Sequence, residues 1–241
     1  MGKAVKLDLR VKEISAAARE VKTFRFTLPG GDLPEHLPGQ FMRITIPVAS
    51  QGLPQTSRSF TIASSPTEKG FYQLTVKRNP QGVVSNFLHR ELQPGASLAA
   101  KAPLGDFVFQ EGSAARIALI GGGSGITPLR SILRYIADRD LPVEARLLYY
   151  NSEEPDIIFR PELERLGQRP RFQVHLALTR PTPGWPNLRG RIEPPHLDRL
   201  LGDFDPELVY LCGPPPLMDR ARALLGQRGI AEQQILSELF H

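Results

Sequence analysis

The sequence predicts two domains, an antiparallel β-barrel followed by an α/β domain built on a parallel sheet. Three observations carry this. Residues 1 to about 110 hold short alternating segments separated by Gly/Pro turns. From Arg116 onward, short apolar runs alternate with helical patterns. A length of 241 residues suits two domains of ordinary size.

In the first half, Val5–Ile14 and Val21–Leu28 alternate with period two, the mark of half-buried strands. Phe41–Ile46 follows a Pro38-Gly39 turn, Arg58–Ala63 is extended, and Phe71–Lys77 alternates again. One helix, Ser85–Leu92, interrupts them, with Ser85 as its expected N-cap and Pro94-Gly95 as its stop. The second half opens with the apolar strand Arg116–Ile120, which runs into five residues holding four glycines, Gly121-Gly122-Gly123-Ser124-Gly125. A helix follows with Ile126, Leu129, Ile132, Leu133 and Ile136 on one face. Strands at Val143–Tyr150, Phe172–Leu178 and Leu208–Leu211 then alternate with helices at Arg160–Leu166, near His196–Leu201 and near Pro216–Arg228. The expected boundary lies at Glu111-Gly112-Ser113, giving domains 1–112 and 113–241.

Composition narrows the function classes. Hydrophobic residues at 41% and charged residues at 23% are those of a globular protein with its own core. A single cysteine, Cys212, excludes an internal disulfide and any iron–sulfur cluster or Cys-rich zinc site held by this chain alone. The five histidines fall in no metal-ligand spacing, so no metal site is expected. No apolar run reaches membrane-helix length and the N-terminus has no signal-peptide core, which makes a cytoplasmic protein the expectation. The net charge of +5 comes without Lys/Arg runs or interleaved aromatics, so nucleic acid is not an expected partner. No Gly-x-Ser-x-Gly elbow points to a hydrolase.

The glycine-rich turn has a physical use. Glycines let a backbone approach a ligand closely, Pro128 fits a helix's first turn, and the helix start offers free N–H groups to an anion such as a pyrophosphate. Two elements of the dinucleotide fingerprint are missing. Pro128 stands where the third glycine would fall, and no clean ribose-binding acid follows about twenty residues on.

Four segments, in order, resemble the ferredoxin–NADP reductase superfamily, over roughly residues 39 to 240. Arg58-Ser59-Phe60-Thr61 is similar to its flavin motif, with Phe in place of the more usual Tyr. The resemblance implies that Arg58 pairs with a flavin phosphate, Phe60 packs on the flavin and Thr61 hydrogen-bonds near its reactive nitrogen. Gly82-Val83-Val84-Ser85 resembles the second flavin-phosphate site, implying contacts from Gly82, Val84 and Ser85. Gly121–Pro128 becomes the pyrophosphate loop of a nicotinamide dinucleotide, with Gly122, Gly123, Ser124 and Gly125 as contacts and Thr127 near the nicotinamide. Cys212-Gly213-Pro214-Pro215-Pro216-Leu217-Met218 resembles the Cys-Gly-Pro-Pro-Pro-Met signature with Leu217 inserted. It implies that Cys212 shapes the nicotinamide site rather than acting as a nucleophile, with Gly213 and Pro214 beside it. Beyond these four, Glu238-Leu239-Phe240 resembles the family's C-terminal Glu–aromatic element over the flavin.

The implied activity is hydride transfer from NADH or NADPH to a bound flavin, with Thr61, Thr127, Cys212 and Glu238 at the reacting rings. Electrons then pass to a ferredoxin- or flavodoxin-type protein or an oxygenase component; the alternatives are reduction of free flavin and relay within a larger complex. FAD is favoured over FMN because Gly82–Ser85 matches FAD-binding relatives better. Asn151, Thr179 and Arg180 fall where the adenosine ribose would lie. Glu153 and Glu154 disfavour a 2′-phosphate while Thr179-Arg180 favours one, so the sequence does not decide between NADH and NADPH.

Overall fold

The computed structural model describes residues 4–47 and 55–239. The chain divides into two compact units, Met1–Phe109 and Gln110–His241, a few residues ahead of the expected boundary.

The first unit contains β1 (Val5–Ala18), β2 (Val21–Thr27), β3 (Phe41–Pro47), β4 (Gln55–Thr61), β5 (Tyr72–Lys77), the helix α1 (Val83–Arg90) and β6 (Ser97–Leu104). The strands form one antiparallel sheet in the order β4-β3-β6-β1-β2-β5. Its two edges meet. Ala63, just beyond β4, donates its N–H to Gln73 of β5 at 2.7 Å, and the Gln73 N–H reaches Ser64 Oγ at 3.0 Å, so the sheet curls into a barrel. Period-two alternation fills it: Leu7, Leu9 and Val11 of β1 point in, with Phe24, Phe26, Met42, Ile44, Leu74 and Leu98, while Lys6, Asp8 and Arg10 point out.

Two expectations for this unit need correction. The helix begins at Val83, not after Ser85, and its N-cap is Gly82 in an extended conformation. Ser85 lies inside the first turn, where its hydroxyl accepts the Asn79 N–H at 3.1 Å and bonds back to the Gly82 and Asn79 carbonyls. A Cβ on Gly82 would stand 2.8 Å from that hydroxyl, which is why glycine caps this helix. The strand β6, central between β3 and β1, had no predicted counterpart. Its inward positions Ala100 and Ala102 are small, so the alternation carries little hydrophobic contrast.

The second unit contains β7 (Arg116–Gly122), α2 (Ile126–Asp138), β8 (Glu144–Asn151), α3 (Arg160–Leu166), β9 (Phe172–Leu178), β10 (Leu188–Arg189), α4 (Pro194–Leu201), β11 (Leu208–Cys212), α5 (Pro215–Gln227) and β12 (Ile235–Glu238). All pairs are parallel, in the order β10-β9-β8-β7-β11-β12. Residues Ile117–Gly122 of β7 are all buried, as a strand covered on both faces requires. From β7 the chain goes to β8 on one side and returns later to β11 on the other. The gap outside the ends of β7 and β11 is therefore the topological switch point where open α/β sheets take their ligands. Among the described residues, no helix is long and apolar enough to cross a membrane.

Candidate nucleotide sites

In the first unit, Arg58, Ser59, Phe60 and Thr61 end β4. Phe60 is half-buried against the barrel core, and Arg58, two residues away on the same face, is exposed with no carboxylate paired to it among the described residues. Ser59 lies opposite Arg43. Thr61 is buried, and its Oγ1 has no hydrogen-bond partner among the described residues. Helix α1, whose first turn follows Gly82 and holds Val84 and Ser85, packs against β4. By helix geometry that turn leaves N–H groups free.

The chain just after the motif is fixed by a frame that sequence inspection passed over. The Ile62 N–H bonds the Gln40 carbonyl at 2.9 Å, and His36 donates Nε2–H to the Ser64 carbonyl at 3.2 Å. Burial brings His36 down to about 4, so it stays neutral and keeps that donor role at physiological pH.

In the second unit, the predicted residues gather at the carboxyl ends of neighbouring strands. Gly121 pairs with Cys212, and Cys212 pairs with Glu238. The turns after β7 and β11 pack backbone on backbone: a Cβ on Gly125 would lie 2.2 Å from the Cys212 carbonyl oxygen, and one on Gly122 would lie 2.8 Å from Pro214 Cδ. Gly213 approaches the Gly122 nitrogen just as closely, at 2.9 Å from its own notional Cβ. Gly123 has φ +54 with nothing within 4 Å of a notional Cβ, so its exposed side stays open beside Ser124. Thr127 turns its hydroxyl back to the Ser124 carbonyl at 2.9 Å. Tyr149, not singled out in the sequence, donates its hydroxyl to the Gly123 carbonyl at 2.9 Å and pins the turn from below. A tyrosine near the carboxyl end of the strand next to the glycine-rich turn was the available signal.

Beyond β8, the Asn151 carbonyl accepts the Thr179 N–H at 3.0 Å and the Ser152 carbonyl accepts the Arg180 N–H at 2.8 Å, joining the two predicted ribose segments. Arg180 pairs with Glu153 at 3.2 Å, and Arg160 pairs with Glu154. Phe240 lies outside the described residues.

These residues fit bound nucleotides. Of seven buried side-chain polar atoms without a hydrogen-bond partner among the described residues, four belong to predicted contacts: Thr61 Oγ1, Asn151 Oδ1 and Nδ2, and Glu238 Oε2. Buried polar groups are normally satisfied, so orphans concentrated at the strand ends are ready for ligand hydrogen bonds. The others are Asn86 Oδ1, Arg146 Nε and His175 Nε2.

Burial raises the Glu238 carboxyl to about 7, and it pushes the Cys212 thiol well above its ordinary value, with the Glu238 charge adding to the effect. Cys212 is therefore a protonated thiol at neutral pH and a poor nucleophile. The Glu238 shift has a stability consequence. Below the ordinary glutamate range the group is neutral in both folded and unfolded chains, and it costs nothing. As pH rises toward 7, only the unfolded chain ionises freely, so native stability falls across that window. The full shift, discounted for residual solvent, amounts to about 2 kcal/mol. Glu238→Gln is expected to shrink the loss of stability between pH 5 and pH 8 by that amount, measured by urea unfolding. An unchanged pH profile would show that the carboxyl is not held protonated.

Comparison with known proteins places this geometry. Residues 8–109 match the oxidoreductase FAD-binding domain model, and residues 119–223 match the oxidoreductase NAD-binding domain model. The glycine betaine monooxygenase reductase subunit of Chromohalobacter salexigens is 31% identical over 237 residues, covering 97% of this chain and 64% of that protein. NADH-cytochrome b5 reductase 1 of Aspergillus terreus is 31% identical over 240 residues, covering 95% of this chain and 80% of the relative. Among solved structures, the cytochrome b5 reductase domain of Ulva prolifera nitrate reductase superposes with a TM-score of 0.86 at 28% identity, covering 97% of each chain. The chain belongs to the ferredoxin–NADP reductase superfamily, as an oxidoreductase with an FAD-binding and an NAD-binding domain. It spans less than two thirds of the length of the glycine betaine monooxygenase reductase relatives, 64% of one and 60% of those from Pseudomonas aeruginosa.

Proposed function

We propose that this chain is an NADH-dependent flavoprotein reductase that hands electrons to a separate protein, an oxygenase component or a ferredoxin- or flavodoxin-type carrier. The observation that carries this reading is the gathering of unsatisfied polar groups and glycine-opened backbone at the residues that resemble the family's flavin and nicotinamide contacts. The flavin, when bound, supplies the exchange between two-electron and one-electron chemistry. In this reading Arg58 and the first turn of α1 hold flavin phosphate, Phe60 packs on the ring system and Thr61 offers its free hydroxyl to it. Gly122 to Gly125 cradle the dinucleotide pyrophosphate at the start of α2, and Gly213 and Pro214 shape the adjoining wall. Thr127 and Cys212 line the nicotinamide position without changing charge, and Glu238 holds a proton at its enclosed carboxyl near neutrality. The lone cysteine means that no iron–sulfur cluster is built from this chain's thiols, so a protein acceptor must bring its own redox centre.

The preference for NADH follows from charge. Arg180 is the residue that would attract a 2′-phosphate, and Glu153 already neutralises it; Glu154 does the same to Arg160. A 2′-phosphate would have to enter beside two carboxylates, whereas a ribose hydroxyl can donate to one. Wild-type protein is expected to show higher kcat/KM with NADH. Glu153→Gln should raise kcat/KM for NADPH roughly tenfold, about 1.4 kcal/mol of relieved repulsion near a protein surface. An NADPH preference in the wild type, or a Gln variant with an unaltered ratio, would contradict this assignment.

A further inference from the structure

One buried hydroxyl ties together two segments that lie 26 and 9 residues from it along the chain. Tyr149 stands in β8 with no solvent exposure, and its side chain leaves the strand on the face opposite Tyr150. Its hydroxyl donates to the Gly123 carbonyl at 2.9 Å and accepts the Ile158 N–H at 3.4 Å. A phenol has one proton to give and lone pairs to receive, so both bonds form at once. Burial holds this phenol well above its ordinary pKa, so the donor persists at any pH where the protein works.

The first bond fixes the direction of a peptide group. The Gly123 carbonyl also accepts the Ile126 N–H at the start of α2. Held by two donors, one of them on a fully buried ring, it points inward. In a planar trans peptide the C=O and N–H point in opposite directions, so the Ser124 N–H is aimed the other way. Gly123 and Ser124 are half-buried in a turn whose flanking Gly122 and Gly125 are buried, which leaves that side open.

The second bond fixes the far end of the acidic loop. From Glu153 to Ile158 the chain is a run of tight turns. The Glu153 N–H bonds Asp156 Oδ2 at 3.1 Å, and the Asp156 N–H returns to the Glu153 carbonyl at 3.1 Å. The Ile157 N–H then reaches the Glu154 carbonyl at 3.2 Å. Glu153, paired with Arg180, stands at one end of this run, and Ile158 stands at the other. Ile158 is itself fully buried, and the next residue, Phe159, has φ +58, so the backbone there has little room to shift.

We propose that Tyr149 is a positioning residue that couples the pyrophosphate turn to the ribose loop, setting both the affinity for NADH and the discrimination against NADPH. The inference rests on the proposed function above in taking Gly122 to Gly125 as the pyrophosphate cradle and Glu153 as the acid beside the ribose. Its own content is that one hydroxyl, outside either set of contacts, holds the two in register. That hydroxyl acts on binding and not on the hydride step.

The test compares Tyr149→Phe with wild type as the flavin-loaded full chain, using NADH, NADPH and ADP-ribose as probes and a small dye as electron acceptor. Phenylalanine keeps the ring in place and removes one atom. The KM for NADH and the Kd for ADP-ribose should each rise about tenfold, while kcat at saturating NADH stays within about twofold of wild type. Loosening Glu153 should also lower the NADH/NADPH ratio of kcat/KM. In the double variant, Glu153→Gln should change that ratio less than it does alone. The unpaired Ile158 N–H should lower Tm by about 2–6 °C. Ile136→Val, buried at the far end of α2, is the stability control: it should lower Tm comparably with KM and cofactor ratio unmoved. A Tyr149→Phe variant with unaltered KM, Kd and cofactor ratio would overturn the proposal and leave the reductase reading standing, as would strictly additive effects in the double variant. A wild type that binds neither NADH nor ADP-ribose would overturn the nucleotide-site reading together with the coupling.

Discussion

Replacing Gly125 with alanine is expected to disable the nicotinamide half of the molecule. The added methyl would lie 2.2 Å from the Cys212 oxygen, 2.5 Å from its carbonyl carbon and 2.8 Å from the Gly213 nitrogen. All three are backbone atoms at the carboxyl end of β11, so no rotamer change relieves the overlap. The turn must move away from β11, opening the packed pair of loops that forms the cradle. Overpacking of this kind costs about 3 kcal/mol. For a chain of this size that is a drop in Tm of roughly 6–12 °C. The KM for NADH should rise more than a hundredfold, because the pyrophosphate amides and the Cys212 wall are displaced together. Gly226 in α5 is the internal control, since a Cβ there meets nothing within 4 Å. Gly226→Ala should stabilise the protein by about 0.5–1 kcal/mol through helix propensity, the opposite sign for the same chemical change. Calorimetry of the two variants, with NADH titration, checks both.

The second large effect is on flavin retention. Arg58 is exposed and carries no carboxylate partner among the described residues, so its charge is free for a phosphate. A charge-assisted hydrogen bond contributes about 1.5–3 kcal/mol, and Arg58→Ala should weaken FAD binding roughly ten- to hundredfold. Arg58→Lys should recover only part of this, because an ammonium lacks the planar fork. The apoprotein fold should survive, since no folded-state partner is lost. Fluorescence titration of apoprotein with FAD measures the change; equal affinity in Ala, Lys and wild type would remove Arg58 from the site.

The parts of this molecule legible in its sequence are those where chemistry is local. The run from Ile117 through the glycines to Pro128 announces a strand, a turn and a helix within a dozen residues, and that is how it folds. The Cys212–Met218 segment is similarly self-contained. What escaped depends on pairing between distant segments. The strand β6 is specified by neighbours on β1 and β3 more than by its own alanines. β12 lies on the sheet edge, and only its register places Glu238 beside Cys212. Two facing charges, Glu153 and Arg180, look contradictory when read along the chain and become one ion pair across β8 and β9. Ser85 looked like a cap because serines usually cap, yet Gly82 left the chain free to start the helix earlier, and the hydroxyl bonded Asn79 instead.

The central claim is that this one chain binds FAD and reduces it with NADH. Purified protein loaded with FAD and mixed anaerobically with NADH in a stopped-flow spectrometer tests it directly. The flavin absorbance should bleach at a rate that saturates with NADH, and admitting an electron acceptor should restore it. A protein that retains no FAD through gel filtration, or a flavin band that persists under excess NADH, would contradict the account.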